Sequence, residues 1–106
     1  DKYLPTYIPQ GFAIDSIREI PKENIYIQLT NGNGTYYEVQ CELHSSHLSI
    51  DTENGQITEL KIKNAYVTIS ERKDRIIAIY TINNVFYSIS GNITKDVIIK
   101  ILESIP

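Results

Sequence analysis

Three polar interruptions divide the isoleucine-rich runs of this chain into pairs, and they constrain its fold more than any other feature. The run "NIYIQLT" alternates Ile25, Ile27 and Leu29 against Tyr26, Gln28 and Thr30, and "TYYEVQCEL" alternates Tyr37, Val39, Cys41 and Leu43 against Tyr36, Glu38, Gln40 and Glu42. A period of two is that of a strand with one face buried. Between the runs lies Asn31-Gly32-Asn33-Gly34, residue types that accept positive φ and so close a hairpin. The same logic pairs "ITELKI" with "AYVTISE" around Lys63-Asn64, and "RIIAIYTI" with "VFYSIS" around Asn83-Asn84. Three hairpins in sequence order predict a meandering antiparallel sheet.

The two ends read differently. In "YLPTYIPQGF", prolines at 5 and 9 disfavour a regular helix and predict an extended segment ending at Gly11. Phe12, Ile14, Ile17 and Ile20 then follow a pattern that slips by one residue, as in a bulged strand or a short helix, and strand is the expectation. Near the C-terminus the period changes. Thr94 can cap a helix, Asp96 suits its positive first turn, and Val97, Ile98, Ile101, Leu102 and Ile105 form one apolar stripe. A sheet of about six to seven strands packed against one C-terminal amphipathic helix makes an α+β domain. No repeat or linker divides the 106 residues, so they are read as one domain, 1–106.

The run "RIIAIYTI" is apolar on both faces, with Ile76, Ala78, Tyr80 and Ile82 on one and Ile77 and Ile79 on the other. Such a strand is expected where a sheet is covered on both sides. One helix covers one side. The second cover is expected from the Pro-rich N-terminal segment, with another molecule as the alternative.

Composition narrows the function. A net charge of −3 leaves few cations for tracking a phosphate backbone, which argues against nucleic-acid binding. The single Cys cannot form an internal disulfide. No run of about eighteen apolar residues spans a membrane. The chain begins at Asp1 without a leader, and the expectation is a piece whose targeting segment lies upstream.

The stretch "CELHSSH" holds Cys41, His44 and His47, the only Cys and both His of the chain. A zinc site there needs a carboxylate such as Asp51 or Glu53 as a further ligand, and on an alternating strand Cys41 points inward while His44 points away. The favoured reading is a buried thiol with two solvated loop histidines, hence no metal and no cofactor. A Cys–His nucleophile lacks the cationic or helix-N-terminal setting that a thiolate needs. "SIDTENGQITE" is rich in oxygen ligands, with Asp51, Glu53, Asn54 and Glu59, yet a twelve-residue calcium loop wants oxygens where this chain has Gly55 and Ile62. Ile50 is the expected apolar anchor of that polar connection. The run Glu71 to Arg75 reads as solvent-facing charge at a strand connection.

Taken together, "YLPTYIPQGF", "LSIDTENGQITELKIKNAYVTI" and "NNVFYSISGNITKDVIIKILESI" resemble the domain of unknown function 4367 family over nearly the whole chain. The resemblance implies an extracytoplasmic domain, commonly C-terminal in membrane-anchored proteins of clostridia and bacilli, some described as anti-sigma factors or lipoproteins. It implies no catalytic residue and no fixed Cys or His pattern. Where the family often carries tryptophan, this chain has Tyr80.

The leading expectation is therefore a non-catalytic binding or sensory module, not an enzyme. It would hold a protein or cell-envelope component against the sheet, with membrane attachment only through a segment outside these residues. The expected contact surface is Tyr26, Tyr36, Tyr66, Ile77 and Ile79, because tyrosine combines contact area with a polar tip. The alternative is a structural or inhibitory domain packing against another part of its parent protein. An envelope hydrolase using the scattered carboxylates is the least supported reading.

Overall fold

The structure, a computed structural model, describes residues 3–43 and 55–106. Seven strands form one antiparallel sheet: β1 (Ala13–Ile20), β2 (Asn24–Thr30), β3 (Tyr36–Glu42), β4 (Gln56–Ile62), β5 (Ala65–Glu71), β6 (Ile76–Ile82) and β7 (Val85–Gly91), followed by helix α1 (Lys95–Glu103). The hairpin turns form for the stated reason. Both central residues of two turns have positive φ, 54° and 65° at Lys63 and Asn64 and 53° and 64° at Asn83 and Asn84, which matches the twist of the flanking strands. The slip in the first strand is a β-bulge: Ile14 faces Leu29 and Ser16 faces Gln28, leaving Asp15 as the extra residue.

The strand order is β1-β2-β3-β7-β6-β5-β4, so the sheet is two meanders joined where β3 pairs with β7. That junction depends on Gly91. It lies opposite Tyr37, and a Cβ there would sit 2.2 Å from the Tyr36 carbonyl oxygen. Asn92 fastens the same point. Its Oδ1 accepts from the Tyr36 N–H at 2.8 Å, its Nδ2 donates to the Gly34 carbonyl at 2.8 Å, and its own N–H donates to the Tyr36 carbonyl at 3.2 Å.

Because β7 is the middle strand, the helix that follows it lies over the centre of the sheet. Thr94 caps it, the hydroxyl accepting from the Val97 N–H, and Ile98, Ile101 and Leu102 bury completely against the strands. The core includes Ile25, Ile27 and Leu29 of β2, Tyr37, Val39 and Cys41 of β3, Ile62 of β4, Val67 and Ile69 of β5, Ala78 and Tyr80 of β6, and Tyr87 and Ile89 of β7. Tyr80 keeps its hydroxyl satisfied by donating to the Ile62 carbonyl at 2.9 Å.

The N-terminal segment corrects one expectation. Tyr3, Leu4, Tyr7 and Phe12 pack on the same core cluster as the helix. The Tyr87 hydroxyl donates to the Tyr3 carbonyl at 2.6 Å, the Tyr7 N–H donates to the Ser104 hydroxyl at 3.0 Å, and the Phe12 ring lies 5.4 Å from that of Tyr37. The segment therefore covers the helix side, beside α1, and is not the second cover for Ile77 and Ile79. One short helix is narrower than seven strands, so apolar area on its own side remained for the segment to fill.

Candidate functional site

Strand alternation and register together define the face turned away from the helix. Three rows of side chains cross it. The first runs Ser16, Gln28, Glu38, Ser90, Ile77, Ser70 and Ile57, and the second Arg18, Tyr26, Gln40, Ser88, Ile79, Thr68 and Glu59. The third runs Ile20, Asn24, Glu42, Phe86, Thr81, Tyr66 and Lys61. No helix or strand among the described residues lies over these rows.

All five residues expected at a contact surface lie on this face, but not as one cluster. Tyr26 is half-buried on β2 with the Arg18 guanidinium 4.9 Å from its ring centre. Tyr36 is 49% exposed at the start of β3, and Tyr66, 68% exposed on β5, has the Lys61 ammonium 4.8 Å from its ring centre. Four strand steps, about 19 Å, separate Tyr26 from Tyr66. Ile77 is only 6% exposed and Ile79 is half-buried, so Ile77 offers little contact area.

Between the tyrosines lies a polar strip with no counterpart among the candidates read from the sequence. Gln28, Glu38, Gln40, Ser88 and Ser90 follow from alternation within their own strands. That β3 and β7 are neighbours, which makes them continuous, depends on a non-local pairing. Two shallow depressions open along the strip and meet at Glu38. One of about 290 Å³ is lined by Ser16, Ile17, Arg18, Tyr26 and Gln28, and one of about 220 Å³ by Gln40, Arg75, Ile77, Ser88 and Ser90. The Ser16 hydroxyl donates to the Gln28 side-chain Oε1 at 3.0 Å, and the Gln40 side-chain amide donates to Glu42 at 3.1 Å. Glu42 is buried, and its second carboxylate oxygen has no hydrogen-bond partner among the described residues.

Cys41 is wholly buried on the helix side of β3. Burial pushes its thiol up to about 11, a hydrogen bond with Tyr87 pulls it down, and the nearby Glu42 carboxylate pushes it up further. At neutral pH it is a packed side chain rather than a nucleophile. His44, His47, Ile50, Asp51, Glu53 and Asn54 lie outside the described residues. Among the described residues no group of three or more His, Cys, Asp or Glu is placed to hold a metal. Ile62, at the twelfth position of the calcium-loop pattern, is buried in the core. The Glu71 to Arg75 run is the β5–β6 turn, closed by the Arg72 N–H donating to the Arg75 carbonyl at 2.8 Å, with Lys95 3.7 Å from Glu71.

No helix among the described residues is long and apolar enough to cross a membrane. No curated protein matches the chain. The family model described as Domain of unknown function (DUF4367) matches residues 2–105, and the chain belongs to that family.

Proposed function

We propose that this domain is a non-catalytic binding or sensory module that holds a protein or cell-envelope component on the open face of its sheet, as the extracytoplasmic part of a membrane-anchored, anti-sigma-factor-like regulator. One observation carries the binding reading. The helix and the N-terminal segment lie on one side of the sheet, while the other presents Tyr26, Tyr36 and Tyr66 around a strip of hydrogen-bonding side chains. Half-exposed tyrosines among polar groups suit recognition, since each offers a broad apolar ring and a hydroxyl. The buried state of Cys41 supports a non-catalytic role. The regulator setting rests on the family resemblance.

A second reading has its own observation. Ile14 and Ile17 of edge strand β1 face the helix side but extend beyond its cover, 47% and 56% exposed, and Ile8 beside them is 44% exposed. An apolar flank of this kind favours an accessory domain that packs against another part of its parent protein.

A photo-crosslinking side chain placed at Gln28, at Ile17 or at Lys100 in the full-length protein, activated in the source cells, separates the two. Adducts from position 28 alone are expected for a recognition face. Adducts from position 17 alone would replace that reading with the accessory one, and equal yields at exposed Lys100 of the helix would overturn both.

A further inference from the structure

We infer that the sheet face turned away from the helix seats the chain's own connection, residues 44–54, on a diagonal from Glu42 to Gln56. The inference does not rest on the binding reading above, and it narrows the surface left to that reading. Strands β3 and β4 run in the same direction, four strand steps apart, and Gln56 shares a row with Tyr37 through Glu71, Ile76 and Gly91. The chain therefore returns from the last residue of β3 to the opposite end of the sheet before β4 begins. That displacement is about 17 Å along the strands and about 19 Å across them, roughly 25 Å in all. The fourteen residue steps from Glu42 to Gln56 reach about 46–50 Å when extended, enough to cross one face.

Handedness selects the face. The Leu43 N–H donates to the Glu23 carbonyl, so the residues of β3 in phase with it, Tyr37, Val39 and Cys41, direct their backbone groups toward β2 and their side chains toward the helix. For L-residues this sets β4 to the left of β3 when the sheet is seen from the helix side with β3 pointing up. A right-handed crossover, the hand taken by about 98% of connections between parallel strands, then passes over the opposite face. The helix side is in any case occupied by α1 and the N-terminal segment.

Burial marks the route. Glu42, Ser88, Ile77 and Ser70 all lie on the face away from the helix, yet they are 5%, 7%, 6% and 0% exposed, and they follow one another in this order along the diagonal toward Gln56. Neighbours on a single sheet surface reduce a side chain's exposure without abolishing it. Off the diagonal on the same face, Ser16, Arg18 and Gln28 on one side and Thr81 and Tyr66 on the other are exposed. Edge strand β4 keeps Ile57, Glu59 and Lys61 exposed, which argues against a return along that edge. Leu48 and Ile50 are the aliphatic side chains of the connection, and they match Ile77 and Ile79, the aliphatic pair of β6 on this face. Strand β6 thereby gains the second cover that a strand apolar on both faces requires. The corner of Ser16, Arg18, Tyr26 and Gln28 is what this leaves for a partner.

Methyl NMR of the wild-type chain tests the path. Nuclear Overhauser effects from the Ile50 δ1-methyl to Ile77 or Ile79 are expected; contacts to Ile98 or Ile101 instead, or to no residue of the sheet, would overturn the crossing. Thiol accessibility gives a second readout. The thiol of a Ser70→Cys variant should react with a maleimide at least about tenfold more slowly than that of Gln28→Cys, and adding Leu48→Ser/Ile50→Ser should remove most of the difference while native Cys41 stays unreactive. Equal rates in the two single variants, or no acceleration on adding the serines, would count against the crossing. Crosslinks from position 28 bear on the binding reading alone, so either inference can fail without the other.

Discussion

Gly91→Ala should destabilise the domain by about 3 kcal/mol, through one steric conflict at the seam between the two meanders. Gly91 does not have a positive φ, so alanine brings no backbone strain of its own. In an unobstructed strand the change would stabilise by about 0.4–1 kcal/mol, because alanine restricts the unfolded chain. Here the new methyl would lie 2.2 Å from the Tyr36 carbonyl oxygen and 2.7 Å from the Tyr37 Cα, both backbone atoms that cannot rotate away. Overpacking of this kind costs about 1–3 kcal/mol. Moving β3 away from β7 also stretches the three Asn92 hydrogen bonds to Gly34 and Tyr36, each worth about 0.5–1.5 kcal/mol. The net loss is a large part of the roughly 5–15 kcal/mol expected for a domain of this size. It corresponds to a fall of about 12–24 °C in melting temperature. Urea denaturation followed by circular dichroism measures it, with Asn92→Ala as a control that loses only the side-chain bonds, about 1–2 kcal/mol. A Gly91→Ala midpoint at or above wild type would refute the β3–β7 register and, with it, the continuity of the polar strip.

Four further outcomes are expected. Asn84 holds φ 64° in its hairpin turn, so Asn84→Gly should leave stability equal or slightly raised while Asn84→Val lowers it by about 1–2 kcal/mol, read from thermal melts; equal effects of the two would contradict the turn geometry. Tyr87→Phe removes the hydroxyl that holds the Tyr3 carbonyl, so hydrogen exchange and proteolysis should accelerate in residues 3–12 with about 1–2 kcal/mol of lost stability, whereas unchanged exchange would show that the segment is held by packing alone. Burial raises Cys41 to about 11 and Tyr37 to about 12 from ordinary values of 9.0 and 10.0, and also raises Tyr87. Raised folded values mean that these groups contribute stability fully below pH 9 and lose it progressively as the pH climbs from about 9 to about 12. Cys41 and Tyr37 each contribute up to about 2–3 kcal/mol. Urea midpoints at pH 8 and pH 10.5 check the sign, and a midpoint that does not fall at pH 10.5 would contradict it. Native Cys41 should also react with a thiol reagent at pH 8 at least about a hundredfold more slowly than the denatured chain.

Each residue type with a local physical reason for its conformation was legible without the fold. The alternation of "NIYIQLT" and "TYYEVQCEL" reports one buried face per strand, and the Asn and Gly pairs report the positive φ that hairpin turns demand. The Thr94 cap and the stripe of Ile98, Ile101 and Leu102 specify a helix whose position over the sheet they do not fix. Even the bulge at Asp15 left a trace, as a one-residue slip in the apolar pattern.

What joins distant parts of the chain was not legible. Nothing local in "TYYEVQCEL" or "VFYSIS" says that β3 and β7 pair, because the choice between strand orders depends on which arrangement buries the most apolar surface under one helix. Two consequences follow from that pairing. It sets Gln28, Glu38, Gln40, Ser88 and Ser90 side by side as one polar strip, which no linear reading assembles. It also centres α1 and leaves the N-terminal segment to fill the remaining apolar area on the helix side, with Ile77 and Ile79 on the other face. Periodicity determined which side each residue takes within its own strand. Only the tertiary structure decided which strands stand beside it, since hydrogen-bonded edges are chemically alike and register is chosen by the packing of the whole sheet.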